Sequence, residues 1–231
     1  MFQMDSINWY LTKTNNAIEK ISKIFIPADG KELRFQYSSL IESLFSTVDY
    51  MIDNNKFFSR DKNYIHTEIA GKLGTEGKEI LPYMRELRNS VVHRGLDISA
   101  RGDVIKGRIA LHAPTGITDQ WGKAKTNPSE SILDFLLCDL DRVIKELVND
   151  ELTRVGFLTK DDSQAITSIA QGIKTLELPN NVPEYAKALF AKYQSSLDMH
   201  TANQHAACIY NASIDNLKEN LSITMDIRYL T

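Results

Sequence analysis

Apolar residues recur at three- and four-residue spacing through most of the chain, which is the pattern of helices that bury one face. The pattern predicts a first helix over about residues 6–25 and a second over about 31–52, with a proline- and glycine-containing break at 27–30 between them. A third long helix ends near His93, and a fourth opens after Pro128. Four long helices with matching apolar faces predict an all-α fold, an antiparallel four-helix bundle.

An insertion interrupts this pattern between the third and fourth long helices. At about 96–128 the helical periodicity fails, and glycine and proline recur. Two short apolar runs, 104–105 and 108–111, flank Lys106-Gly107, which predicts a loop that contains a small hairpin. Loops of this length inside compact domains are uncommon and tend to be functional or mobile.

Three weaker helical patterns follow Gly156 and predict an additional C-terminal helical module. The predicted division is therefore a helical bundle with its insertion over 1–156 and a helical module over 157–231. The three module helices are expected over about 163–176, 183–199 and 202–225.

The composition excludes several classes of protein. The 231 residues are 42% hydrophobic and 25% charged, as in an ordinary globular protein. No apolar run approaches the roughly 20 residues of a membrane span, and the N-terminus lacks the features of a secretion signal, so we expect a cytoplasmic protein with no membrane partner. Cys138, Cys208, His66 and His112 show no metal-ligand spacing, and no phosphate loop or dinucleotide fingerprint occurs. We therefore expect neither a metal nor a cofactor.

Charge is distributed unevenly along the chain. The formal net charge of -3 argues against a protein that coats nucleic acid indiscriminately. Residues 81–125, however, hold eight basic and four acidic side chains, a local balance of +4. Such a patch attracts a polyanion in a salt-dependent way. In the alternative interpretation, these charges complement a helix C-terminus or are simply solvated.

Arg88-Asn89-x-x-x-His93 is the most informative motif, because it closes the third long helix just before Gly95, a plausible left-handed terminator. Arg88 and His93 would converge if the helix loosens before Gly95. We then expect their side chains within roughly 4 to 8 Å of each other, the reach of one shared phosphate. The alternative is that both cations cap the exposed carbonyl groups of the helix end.

The motif resembles that of the HEPN superfamily (higher eukaryotes and prokaryotes nucleotide-binding domains), in which four to six residues lie between an arginine, commonly followed by a polar residue, and a histidine; here the number is four. The resemblance covers about residues 6–152. It implies a metal-independent endoribonuclease, or a catalytically silent relative, in toxin, antiviral defence or RNA-processing systems. It also implies RNA as the partner, a homodimer whose motifs face each other across a groove, and an antitoxin or a nucleotidyltransferase as a further partner.

The resemblance assigns a role to each motif residue. Arg88 grips phosphate oxygens, His93 serves as general base or acid, and Asn89 orients His93 or holds a phosphate oxygen. Some relatives add an acidic residue from the preceding helix. Glu42 and Asp49, seven residues apart on the second predicted helix, are both candidates, and nothing in the sequence selects between them; Asp49 is carried forward as the candidate acidic residue.

Further residues near the motif are candidates for contact with RNA. Trp121, in the basic insertion, is a candidate for contact with a nucleobase. The basic candidates are Arg85, Arg94, Arg101, Lys106 and Arg108. In the alternative function, the same surface belongs to a non-catalytic helical module that binds RNA, a nucleotide or a protein.

Overall fold

The computed structural model describes residues 2–25, 29–54, 58, 60–127 and 132–230. The chain is mainly α-helical, as predicted, whereas the HEPN type of bundle stays a prediction. Within the described residues the α-helices are α1 (Phe2–Ser22), α2 (Gly30–Asp53), α3 (Lys62–Lys72), α4 (Gly77–Arg94), α5 (Leu133–Arg154), α6 (Ser163–Thr175), α7 (Glu184–Ser196) and α8 (Met199–Ser222). None of the helices in this part of the chain is long and apolar enough to cross a membrane.

Helix α2 lies at the centre of the packing and contacts α1, α3, α4 and α5. Its apolar side chains repeat every three or four residues, and Leu33, Tyr37, Leu40 and Leu44 are all buried. Burying one such side chain contributes about 1.5–3 kcal/mol, so this face holds the neighbouring helices in place. Asp134 of α5 is buried at the same junction and accepts a hydrogen bond of 2.6 Å from the Tyr37 hydroxyl.

Helices α3 and α4 approach each other closely at Gly77. A Cβ atom at this position would lie 1.9 Å from the backbone oxygen of Ala70, a distance that no real contact permits. The absence of a side chain at Gly77 therefore allows the two helices to pack together, and the same packing places His66 of α3 beside Arg85 of α4.

The end of α4 confirms the predicted terminator. Gly95 has φ 72°, in the left-handed region, and the backbone N–H groups of Gly95 and Leu96 both donate to the carbonyl group of Ser90. Helix α4 stays regular through Arg94, so the loosening before Gly95 that would let Arg88 and His93 converge does not occur. Five residues along a regular helix turn through roughly 140° beyond one full circle, so Arg88 and His93 leave α4 in different directions.

The insertion forms two hairpins, one of which the sequence predicts. Strands β1 (Gly102–Ile105) and β2 (Arg108–Leu111) pair antiparallel around Lys106 and Gly107, which both have positive φ as a type I′ turn requires. The hairpin of β3 (Gly116–Thr118) and β4 (Ala124–Thr126) was not predicted, and it packs on α4. Residues 128–131, where the sequence pattern starts the next helix, lie outside the described part of the chain.

Two of the C-terminal helices, α6 and α8, share the core of the preceding helices. Helix α8 packs against α1, α5 and α6, and its buried residues belong to the same apolar cluster as those of α1 and α2. Asn220 of α8 accepts a hydrogen bond of 2.8 Å from Asn15 and donates one of 2.6 Å to Asn8, both on α1. The division into 1–156 and 157–231 stays a prediction, but apolar packing and hydrogen bonds join the two segments.

Candidate functional site

Arg88 is held on the side of α4 that faces α2. Its side chain is 22% exposed, and its Nη2 lies 3.9 Å from Oδ2 of Asp49. Its Nη1 donates a long hydrogen bond of 3.4 Å to Oδ1 of Asn89. Its Nε is buried and has no hydrogen-bond partner among the described residues. Buried donors are normally paired, but this Nε is covered by protein, so a phosphate oxygen would reach only the exposed part of the guanidinium.

A second arginine and a histidine extend this group across three helices. The Nη2 of Arg85 lies 4.0 Å from Oδ1 of Asp49, and its Nη1 lies 3.5 Å from Nε2 of His66 on α3. Burial, and then the charge of Arg85, lower the pKa of His66, while Asp49 opposes the shift. With His66 neutral, two guanidinium groups and one carboxylate leave this cluster with a net positive charge, which favours an anion.

Of the two carboxylates placed on the second helix, Asp49 is the one that contacts both arginines. The sequence provides no reason to associate His66 with them, because His66 precedes Arg85 by 19 residues and lies on another helix. Only the close packing of α3 on α4 brings them together. Asp49, His66, Arg85 and Arg88 are hereafter called the arginine cluster.

His93 lies in a different environment, at an open cleft of about 460 Å³ beside the end of α4. Helix α4 and the β3–β4 turn form this cleft, and Trp121 of the turn is 82% exposed. Among the described residues, its lining consists of Glu86, Asn89, His93, Arg94, Gln120 and Trp121. Gln120 and Glu86 were not singled out from the sequence.

Asn89 connects the two environments. Its side chain accepts the hydrogen bond from Arg88 and also lines the cleft with His93. An anion that reached both Arg88 and His93 would therefore pass beside Asn89. That Arg88 and His93 lie within the reach of one phosphate stays a prediction.

Of the remaining basic candidates, Arg94 and Arg108 have side-chain contacts within the protein. Arg94 pairs with Glu86 and donates to Ser90, both on its own helix, so its guanidinium supports the end of α4 as well as lining the cleft. Arg108 lies over the ring of Phe25, 5.3 Å from its centroid.

The β1–β2 region carries the other two candidates, both exposed. Arg101 precedes strand β1, and Lys106 occupies the hairpin turn. In the described part of the chain the lining of the cleft includes neither of them, nor Arg108. The basic patch of the sequence is thus divided between the two hairpins and α4.

No group of three histidine, cysteine or carboxylate side chains that could hold a metal ion occurs among the residues that the structure describes. Both cysteines are free thiols; Cys138 is half-buried and Cys208 is exposed. Burial raises the pKa of Cys138, so its thiol stays protonated.

No protein-family model, no curated protein and no solved structure matches this chain.

Proposed function

We propose that this protein is a metal-independent endoribonuclease in which Arg88 and His93 carry the chemistry. One observation carries the proposal. In the last turns of α4 the partly exposed guanidinium of Arg88 donates to Asn89, and Asn89 shares an open cleft with the exposed imidazole of His93. A phosphate group is the ligand that uses both a guanidinium and a group that transfers protons near neutral pH.

The proposed reaction uses the 2′-hydroxyl group of the RNA as nucleophile. A general base takes the 2′-hydroxyl proton, the 2′ oxygen attacks phosphorus, and the bond to the 5′ oxygen breaks as that oxygen takes up a proton. The products are a 2′,3′-cyclic phosphate and a 5′-hydroxyl end. His93 performs one of the proton transfers, and Arg88 stabilises the negative charge that develops on the phosphate oxygens.

A homodimer reconciles this chemistry with the regular geometry of α4. Because the side chains of Arg88 and His93 leave α4 in different directions, the arginine cluster and the cleft of one protomer lie on different sides of that helix. Two copies that meet along α4 would set Arg88 of one protomer opposite the imidazole of the other. We therefore propose a composite site in which each scissile phosphate is served by both protomers.

The first test is incubation of the purified protein with single-stranded RNA in EDTA. We expect fragments ending in cyclic phosphate, with a rate that falls about 100- to 1000-fold in Arg88→Ala and about 100- to 10000-fold in His93→Ala. Arg142→Ala is the matched control, since Arg142 is an exposed arginine of α5 that pairs with Asp139 and Glu146. Equal rates in all three variants would overturn the proposal.

The second test asks whether the site is composite. A mixture of Arg88→Ala and His93→Ala proteins contains heterodimers in which one site keeps both an intact arginine and an intact imidazole, provided that the two come from different protomers. We expect cleavage to return on mixing. If Arg88 and His93 act within one protomer, every site in the mixture stays defective, and no activity returns.

One observation favours a second candidate function, a non-catalytic module that binds RNA or a nucleotide. Arg88 and Arg85 already face the carboxylate of Asp49, which neutralises part of their charge. Saturable binding of RNA that stays intact over long incubation would favour this module. In either case we propose a role in toxin, defence or RNA-processing systems in the cytoplasm, with an antitoxin or a nucleotidyltransferase as the expected partner.

A further inference from the structure

We propose that the cleft beside His93 is a binding site for one unpaired nucleobase, which stacks on the indole ring of Trp121. The inference rests on the proposed function in taking RNA as the ligand. It adds two points to that function: the substrate is single-stranded RNA, and Trp121 is the residue that selects it.

The first observation is the exposure of Trp121. Its side chain is 82% exposed at the tip of the β3–β4 hairpin. A tryptophan ring of which so little is covered leaves a large apolar face in water, which favours contact with a ligand. Indole is also a ring on which every base can stack, whatever the sequence.

The second observation is that the turn that carries Trp121 is well fixed. The carboxylate of Asp119 accepts hydrogen bonds from the backbone N–H groups of Trp121, at 2.9 Å, and Lys123, at 2.8 Å. The backbone N–H of Gly122 donates to the carbonyl group of Asp119, and Gly122 has φ 78°, in the left-handed region that glycine adopts most readily. Ile117 of β3 is buried in the core and anchors the hairpin. The backbone of the turn is therefore fixed beside the cleft before any ligand binds, so only the side-chain torsions of Trp121 remain to be ordered, which limits the entropy cost of binding.

The third observation is the chemistry of the cleft. Asn89 and Gln120 offer amide groups that both donate and accept hydrogen bonds, as the edge of a base requires. His93 lines the same cleft and suits the phosphate that follows the base, whereas Arg94 is paired there with Glu86. A volume of about 460 Å³ lies within the range of small-ligand sites.

The expected ligand is an unpaired base rather than a duplex. In a helix each base face is covered by its neighbours, so stacking on a protein ring requires a base that has left the stack. A base on Trp121 would bring its own phosphate to the side of the cleft where His93 and Asn89 lie. The cleft would then select the position at which the RNA is cut.

The test uses the fluorescence of Trp121 itself. The chain has two tryptophans, and Trp9 lies on α1, which contributes no residue to the described lining of the cleft. In the Trp9→Phe protein all tryptophan emission comes from Trp121. We expect saturable quenching on titration with a short single-stranded oligouridylate or oligoadenylate, made with 2′-O-methyl riboses so that it cannot be cleaved, and little quenching by a duplex of the same length.

Substitution at Trp121 gives the magnitude. Loss of one base stack in Trp121→Ala is expected to weaken binding of the single-stranded probe about 5- to 150-fold, measured by anisotropy of a labelled probe. Trp121→Phe keeps an aromatic ring and should bind within a few-fold of the parent. Trp9→Ala is the matched control, since Trp9 is 64% exposed but is not part of the described lining of the cleft. Thermal unfolding midpoints equal to that of the parent would exclude a folding defect.

Two results separate this inference from the nuclease proposal. If Trp121→Ala binds the single-stranded probe as tightly as the parent does, the stacking inference is overturned, whether or not the protein cleaves RNA. If ordinary RNA stays intact while binding depends on Trp121, the stacking inference stands and the nuclease proposal fails.

Discussion

Replacing Lys145 by methionine tests how strongly the C-terminal segment is held to the other helices. The Lys145 Nζ lies 2.7 Å from Oδ1 of Asp141 on the same helix. It also donates to Oδ1 of Asn15 on α1 at 2.8 Å and to the carbonyl oxygen of Ile223, just after α8, at 2.6 Å. The side chains of Lys145 and Asp141 are 3% and 1% exposed, so water cannot easily replace the lost ammonium.

The expected loss follows from these contacts. Removing one partner of a buried ion pair costs about 3–5 kcal/mol, because the other charge stays buried without compensation. Burial raises the pKa of Asp141, so this carboxyl can take up a proton and bring the loss toward the lower end of that range. For a chain of this size each kcal/mol lowers the unfolding midpoint by about 2–4 °C, so we expect a decrease of about 6–20 °C.

The measurement is thermal and urea denaturation followed by far-ultraviolet circular dichroism. Lys72→Met is the matched control, because Lys72 also pairs with two carboxylates of α5, at 3.2 Å from Asp150 and 3.6 Å from Glu146, but in a partly exposed position. Exposed pairs contribute about 0–1 kcal/mol, so the control should change little. Equal small losses in Lys145→Met and Lys72→Met would refute the reasoning, since they would mean that water reaches the Lys145 junction.

Three further predictions concern the packing around the site. Gly77→Ala should lower the free energy of unfolding by about 1–3 kcal/mol or more in urea denaturation, because its Cβ would meet an α3 carbonyl group. Gly71→Ala is the control, because the space around its Cβ is open and its stability should change little. Equal stability of the two variants would contradict the close approach. Because burial lowers the pKa of His66, the unfolded chain binds this proton more readily, and stability is lost as pH falls below about 6.5. His66→Asn should make the unfolding midpoint less dependent on pH between about 5 and 7, and an unchanged slope would exclude His66 as the cause. Tyr37→Phe should lower the free energy of unfolding by about 1–3 kcal/mol in the same assay, because it removes a hydrogen bond to buried Asp134. An unchanged urea midpoint would show that the carboxylate needs no hydroxyl donor.

The sequence determines the helices of this protein, because their apolar periodicity and their end signals are local. The second predicted helix, about 31–52, corresponds to Gly30–Asp53, and the C-terminal pattern at about 163–176 corresponds to Ser163–Thr175. Gly95 ends α4 as the pattern predicts. The β1–β2 turn also follows from local sequence, since Lys106-Gly107 suits its two positive φ angles. The second hairpin escapes prediction because each of its strands is only three residues long and leaves little pattern.

The sequence also specifies the residues of the Arg88-Asn89-x-x-x-His93 motif, but their neighbours depend on the tertiary structure. The carboxylate of Asp49 and the imidazole of His66 come to the arginines from α2 and α3, and Trp121 comes to His93 from the β3–β4 turn. A helix repeats its own faces every 3.6 residues, so buried faces can be read locally. Which faces meet depends on long-range packing, such as the close approach of α3 and α4 at a glycine, and such packing leaves no periodic signal in the sequence.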